Sequence, residues 1–317
     1  MTSATSTTAT AVADPAPELP APEYRFFTTR VARVARLSPA FVRITLTGPD
    51  LADFGVAGDD QRIKLVLRRD GEPFEDLLDS PAWYETYLAM PEDRRPHVRT
   101  YTVRAARPEV AELDVDLVLH GLDGGHAGPA ASWAAVAAPG DPVVVMGADR
   151  PGTGRMWGVE WSPPPTATRL LLVGDETAVP AVSSVLESLD PRGRRVVAVL
   201  EVPAAADVLD LRLPAGVEVR WLARGGRARG ELLAPAVDAA LRDLGIGHEQ
   251  AGEEPEDVDP DLLWEVPEAA GTDECFAWLA GEAGMVKQLR RLLVRDLGVP
   301  RTSVAFMGYW RLGGTLG

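Results

Sequence analysis

Apolar and polar positions change their period once along this chain. From Phe26 onward the segments are short and alternate, or run in β-branched residues. Residues 30–46 read as two strands around Ser38-Pro39. Arg62-Ile-Lys-Leu-Val-Leu-Arg68 puts Ile63, Leu65 and Leu67 on one face and Arg62, Lys64, Val66 and Arg68 on the other, the period of two of a strand. Further strands are expected over 100–103, 113–119 and 141–146, punctuated by Gly, Pro and Asp. Several short strands without a long helix predict a closed antiparallel barrel. Trp83, Tyr84, Tyr87, Leu88 and Met90 predict a short amphipathic helix between Ser80 and Arg95.

After Trp161-Ser-Pro-Pro-Pro-Thr166, which reads as a linker, the pattern is different. Residues 169–174 form a continuous apolar run, as in a strand covered on both faces. Strands over 195–201, 217–222, 274–280 and 303–308 alternate with helices over 180–189, 232–244 and 284–296. That alternation predicts a doubly wound parallel sheet. Residues 1–22 are mostly Ala, Thr, Pro and Ser and hold too few bulky groups to offset chain entropy. The expected organisation is a disordered tail (1–22), a β-barrel domain (23–160) and an α/β domain (166–317).

Charge narrows the classes of partner. The 317 residues carry 47 Asp or Glu against 32 Lys or Arg, a net charge of −15. This argues against nucleic acid and against an anionic membrane surface. Residues 20–107 hold 14 basic and 13 acidic groups, whereas 108–317 hold 18 and 32. The first half can therefore still admit an anionic ligand. Only two basic residues are lysines, Lys64 and Lys287. The acidic stretch 249–268 reads as a solvated loop. One cysteine excludes a disulfide framework, a cysteine zinc site and a cysteine-held iron–sulfur cluster, and no metal site is expected. No apolar run approaches the ~20 residues of a membrane helix. The first residues lack the basic and apolar regions of a secretory signal, so a cytoplasmic location is expected. Nothing in the sequence sets an oligomeric state.

Five segments carry candidate chemistry. In Arg99-Thr-Tyr-Thr-Val-Arg104, Arg99, Tyr101 and Val103 share one strand face, and Thr100, Thr102 and Arg104 the other. An Arg beside a Tyr suits a phosphate next to a planar group, although the hexapeptide alone reads equally as an ordinary strand. His120-Gly-Leu-Asp-Gly-Gly-His-Ala-Gly-Pro-Ala-Ala-Ser-Trp is a glycine turn opening a helix at Pro129. Its free amides suit an anion, and Gly124, Gly125 and Gly128 permit close approach, or else it is a plain flexible loop. No P-loop and no G-x-G-x-x-G is present. Val173-Gly-Asp-Glu-Thr-Ala-Val-Pro-Ala181 and Trp278-Leu-Ala-Gly-Glu-Ala-Gly-Met285 each lie where a parallel strand turns into a helix, the usual ligand edge of such sheets. Gly308-Tyr-Trp-Arg-Leu-Gly313 exposes aromatics at a strand end, either to cover something flat or as core packing.

In this order the five segments resemble the siderophore-interacting protein family, flavin-dependent ferric-siderophore reductases of the ferredoxin-reductase-like superfamily. The likeness runs over residues 24–315. It implies an antiparallel Greek-key barrel binding FAD, followed by a doubly wound α/β domain binding NADH or NADPH. Carried over, Arg99 binds the FAD phosphates. Tyr101, Thr102 and Val103 meet the ribityl chain and isoalloxazine, with Tyr101 and Thr102 as the catalytic pair and Thr102 near the reactive flavin nitrogen. His120, Gly128, Pro129 and Ala130 hold the pyrophosphate with Trp133 behind, although His126 makes this loop longer than the family pattern. Asp175, Glu176, Thr177 and Ala178 line the nicotinamide entrance beside Trp278, Ala280, Gly281 and Glu282. Tyr309 and Trp310 lie by the flavin. Hydride would pass to FAD, and single electrons from it to Fe(III) in a ferric siderophore. Lys64 and Arg311 are candidates for the positive mouth that meets this anionic chelate. Two alternatives remain: a reductase feeding a protein partner, and a siderophore-binding protein without catalysis. Donor preference is also open. Glu201, ending a strand, suits a ribose hydroxyl, whereas Arg224 or Arg227 suits a 2′-phosphate.

Overall fold

The computed structural model describes residues 24–313 apart from 70, 71, 73, 81, 123–126, 150–157, 247–263 and 268–273. The expected tail, Gly124, Gly125 and His126, and most of the acidic stretch lie outside the described residues.

The first half supplies seven strands: β1 (Tyr24–Arg36), β2 (Phe41–Thr47), β3 (Arg62–Leu67), β4 (His97–Thr102), β5 (Ala105–Arg107), β6 (Glu112–Val118) and β7 (Pro142–Ala148). They pair antiparallel in the order β4-β3-β7-β1-β2-β6-β5. The two edge strands are consecutive pieces of one extended run. Val103 N donates to Gln61 O at 2.8 Å, and the next residue, Arg104, donates from its N to Asp114 O at 2.9 Å. The run thus leaves β3 and joins β6 without a break, which curls the sheet into the expected barrel. Ile63, Leu65 and Leu67 face its core with Phe27, Ile44, Leu46 and Val115. The other face of β3 is less polar than its alternation implies. Val66 is buried under an insertion made of α1 (Glu75–Leu78) and α2 (Trp83–Ala89), in a small cluster with Phe74, Leu77 and Val144. Helix α3 (Pro129–Val136) packs on the barrel core through Ala130, Trp133 and Ala134.

The second half supplies β8 (Arg169–Gly174), β9 (Arg195–Val202), β10 (Val217–Ala223), β11 (Trp264–Glu265), β12 (Cys275–Glu282) and β13 (Val304–Trp310). The order is β10-β9-β8-β12-β13-β11, parallel except for the short β11 at one edge. Helix α4 (Val179–Ser188) covers one face over Leu170 and Leu172. Helices α5 (Leu233–Leu244) and α6 (Ala283–Arg290) cover the other over Leu171 and Val173. Cover on both faces is the reason for the unbroken apolar run in β8. Residues Arg291–Asp296, expected to continue α6, wind instead as π-helical turns. The chain moves outward from β8 through β9 to β10 and then crosses back to β12. The crevice at the carboxyl ends of β8 and β12 is therefore the topological switch point.

The two halves meet directly. Phe41, Val118 and Trp161 share a core cluster with α4, so the expected linker starts in packed structure. Asp207 accepts hydrogen bonds from Ser38 Oγ (2.8 Å) and Ala40 N (2.7 Å) of the barrel. Ser184 Oγ donates to Val103 O at 3.1 Å, and Arg104 pairs with Glu187 at 2.6 Å. Among the described residues no helix is long and apolar enough to cross a membrane.

Candidate functional site

Three of the five segments converge on one carboxylate. Gly174 ends β8, and a Cβ there would sit 2.3 Å from Ala178 Cβ and 2.9 Å from Ala280 O. Glycine is what lets the chain turn so tightly into Asp175, which is fully buried. Asp175 Oδ1 accepts from Thr177 N (2.9 Å) and Thr177 Oγ1 (2.5 Å). Its Oδ2 accepts from Glu282 N (3.0 Å) and Trp310 Nε1 (3.1 Å), with Arg229 Nη1 at 3.5 Å. Burial and the adjacent Glu176 push its pKa up, while Arg229 and the Thr177 hydrogen bonds oppose them. Burial also acts to raise Glu176, but hydrogen bonds from Arg224 and Arg229 outweigh it and hold that carboxyl below its ordinary value. Gly281 has φ 141°, and a Cβ there would lie 2.9 Å from Asp175 Cγ. A fourth segment arrives by stacking. The Trp310 ring lies 5.9 Å from the His120 ring at 27°, with the Arg229 guanidinium carbon 4.7 Å from its centroid.

The barrel side is prepared for an anion. Register pairs Leu65 with Arg99 and Ile63 with Tyr101, which puts these two on the face toward the core. Lys64 pairs with Thr100 and Arg62 with Thr102 on the outer face. Burial pushes the Tyr101 phenol up to about 12. Arg43, Arg62, Arg104 and Arg107 all make ion pairs. Arg99 bonds only Val98 O (2.8 Å) and has no carboxylate partner among the described residues. Helix α3 starts at Pro129 with Gly128 as an N-cap that makes no side-chain bond. The first helical bond runs from Ser132 N to Gly128 O at 3.0 Å, so the amides of Ala130 and Ala131 have no helical acceptor. A Cβ on Gly128 would meet nothing within 4 Å. Amide donors without a helical acceptor at a helix start suit a phosphate group. Trp133 packs behind on the barrel core, as expected.

Between the halves lies a cleft of about 350 Å³, walled by Ala40, Leu119 and His120 from the barrel and by Glu176, Arg224 and Arg229 from the sheet. Glu201, a candidate ribose acceptor, is not on this wall. It is fully buried and accepts from Gly230 N (3.0 Å) and Arg224 Nη1 (3.0 Å). Arg224 Nη1 also reaches Glu176 at 3.1 Å, so it bridges two carboxylates. Arg227 is 58% exposed and lies 3.9 Å from Glu231. Arg229 was not picked out from the sequence. Its signal is its place in Arg224-Gly-Gly-Arg-Ala-Arg229, directly after a parallel strand.

Other candidates fall around this centre. Ala178, Trp278 and Ala280, expected as entrance walls, are fully buried in the core behind it. Tyr309 stacks on Trp264 at 6.0 Å and meets Trp278 edge-on at 6.3 Å. Tyr309 Oη and Trp278 Nε1 are both buried without a hydrogen-bond partner among the described residues. Lys64 lies on the outer barrel face, paired in register with Met146 on one side and Thr100 on the other. Its Nζ is 3.4 Å from Thr100 Oγ1, and no carboxylate partners it among the described residues. Burial, then Arg62, lowers its pKa. Arg311 follows Trp310 at the end of β13 and is half-buried.

Residues 30–152 match the model of the siderophore-interacting FAD-binding domain, and residues 167–313 that of the siderophore-interacting protein. An uncharacterized protein of Mycobacterium tuberculosis is 35% identical, with 90% of each chain covered. The ferric vibriobactin reductase ViuB of Vibrio cholerae is 26% identical over 87% of this chain and 86% of its own. Among solved structures, the siderophore-interacting protein SipS from Aeromonas hydrophila superposes with a TM-score of 0.63 at 31% identity, covering 92% of this chain and 93% of that one. The fold alone is shared with the ferredoxin reductase of carbazole 1,9a-dioxygenase (TM-score 0.56, 15% identity, 92% and 71% covered).

Proposed function

The chain belongs to the siderophore-interacting protein family, and from that premise we propose that it is a cytoplasmic flavoprotein that reduces a ferric siderophore with electrons from NADH or NADPH. One juxtaposition carries the reading: an uncapped helix start and an Arg99 with no carboxylate partner among the described residues, both on the barrel, on the same molecule as a cleft at the carboxyl ends of β8, β9 and β10. The residues present fit FAD. The amides of Ala130 and Ala131 have no helical acceptor, the Cβ position of Gly128 beside them is open, and Arg99 supplies a cation with no competing carboxylate among the described residues. When bound, FAD supplies a two-electron acceptor that can release electrons singly.

The chain's own groups divide the remaining work. The barrel, within 23–160, holds the dinucleotide, and the sheet domain, within 166–317, receives the nicotinamide nucleotide in the cleft. With its pKa near 12, Tyr101 keeps its proton at neutral pH and can serve as a donor. Thr102, beside it on the opposite face, is the candidate for the flavin's reactive edge. Asp175 fixes Trp310 through its indole N–H and so orients the ring stacked on His120. Lys64 and Arg311 offset the negative charge of the chelate. Hard, anionic oxygen ligands hold Fe(II) far more weakly than Fe(III), so reduction amounts to release. The name of the V. cholerae relative, a ferric vibriobactin reductase, supports this substrate class.

The test is the visible spectrum of the purified protein, followed by anaerobic reduction with each nicotinamide and reoxidation by a ferric chelate with a ferrous trap present. A yellow protein that bleaches and then recovers as Fe(II) appears is the expected result. A protein that does not bind FAD, or whose reduced flavin no ferric chelate reoxidises, overturns the proposal.

A further inference from the structure

Resting on that reading, we infer that the electron donor is the non-phosphorylated dinucleotide NADH, because among the described residues both guanidiniums on the cleft wall are already paired with carboxylates. Arg224 and Arg229 are the guanidiniums on the cleft wall. Both are already committed. Arg224 bridges Glu176 (3.1 Å) and Glu201 (3.0 Å), and Arg229 pairs with Glu176 (2.5 Å) and lies 3.5 Å from Asp175. Asp207 adds a further carboxylate to the same wall. Three carboxylates, Asp175, Glu176 and Glu201, thus engage the two guanidiniums.

Redirecting Arg224 to a phosphate would also be costly. Glu201 is fully buried, and its remaining contact is the Gly230 amide. Withdrawing Arg224 leaves a buried carboxylate without a counter-ion, which is strongly unfavourable. Arg227 does not line the cleft and is mostly solvated, 3.9 Å from an equally exposed Glu231. In open parallel sheets the ribose of a dinucleotide is read beside the end of the second strand. An acid there favours a 2′-hydroxyl, and a free arginine a 2′-phosphate. Here the second strand is β9, and on the wall beside it Arg224 and Arg229 are both held by the buried Glu176, so neither is a free arginine.

The experiment compares adenosine 5′-monophosphate with adenosine 2′,5′-bisphosphate by titration calorimetry on the FAD-loaded protein at fixed ionic strength. The monophosphate should bind at least tenfold tighter, and kcat/KM should favour NADH over NADPH by a similar factor. Glu176→Gln removes one carboxylate from each arginine and should narrow the binding ratio at least fivefold. Equal or tighter binding of the bisphosphate to the wild-type protein overturns the inference, and that ratio decides even if Glu176→Gln does not fold. Preferential reduction of the flavin by NADPH overturns the inference while leaving the reductase reading intact. Failure of both nicotinamides to reduce the flavin overturns the reductase reading itself.

Discussion

Lys64 stands out in a chain that otherwise uses arginine almost throughout. It is half-buried on the outer barrel face, in register with Met146 and Thr100, and no carboxylate partners it among the described residues. Arginines nearby in sequence, Arg62 and Arg68, are each tied to an acid. Partial burial is what makes this lysine useful, because a charge interacts more strongly where water is partly excluded. The same burial lowers its pKa, so holding the ammonium charged there has a cost. A protein at −15 repels an anionic chelate overall, and Lys64 is a cation that no carboxylate among the described residues cancels. Lys64→Glu should raise KM for a trianionic ferric tris-catecholate by about tenfold, the scale of one reversed charge at partly screened range. For an uncharged quinone acceptor the change should stay below about twofold on the same grounds. Equal effects on both acceptors in steady-state assays would remove Lys64 from the chelate site.

At the level of elements, the start of α3 gives the cleanest separation of binding from folding. Gly128 has ordinary extended backbone angles (φ −67°, ψ 163°), so a larger residue is not strained there. A Cβ would meet nothing, so the chain tolerates it, whereas a pyrophosphate lying in that space does not. Gly128→Leu should leave the melting temperature of the FAD-free protein within about 2 °C, the scale of a neutral surface change. It should weaken FAD at least tenfold in a fluorescence titration. Unchanged FAD affinity would move the pyrophosphate elsewhere. Elements of this kind were legible in the sequence wherever one periodicity governed them. The alternation of Ile63, Leu65 and Leu67 and the apolar run of β8 each reflect a single, uniform environment. Val66 was not legible as buried, because its cover comes from Phe74 and Leu77 in a separate insertion. The two-residue β11 has no period to read. The meeting of Asp175, Trp310, Arg229 and His120 joins four distant segments, and only the folded sheet brings them together. Glu201 misled for a related reason. Its place at a strand end was right, but Arg224 and Gly230 turn its carboxylate into the interior.

For the whole molecule, the junction between its halves depends on another buried acid. Asp60, in the barrel just before β3, is fully buried and accepts from Glu160 N (3.0 Å) and Trp161 N (2.9 Å), where the chain leaves the barrel. Around it lie the Arg62–Glu160 ion pair (2.7 Å) and the Arg62 guanidinium over Trp264, which in turn stacks on Tyr309 of β13. Burial raises the Asp60 pKa from 3.8 to about 6, against the lowering by the two amides and Arg62. A carboxyl whose pKa is higher in the folded state binds its proton more tightly there than in the unfolded chain. Folding is therefore favoured when the group is protonated, and this contribution is lost as pH rises from about 4 to about 6. The rise corresponds to about 3 kcal/mol. Asp60→Asn keeps Oδ1, which accepts from both amides, but cannot ionise. Its melting temperature relative to wild type should therefore climb between pH 4 and pH 6.5 and stay level above. Because the group sits at the junction, the same variant should retain FAD at pH 7 as the wild type does, since Arg99 and α3 lie elsewhere on the barrel. Parallel melting profiles across that pH range, measured by calorimetry, would show that the proton held at Asp60 does not couple to folding.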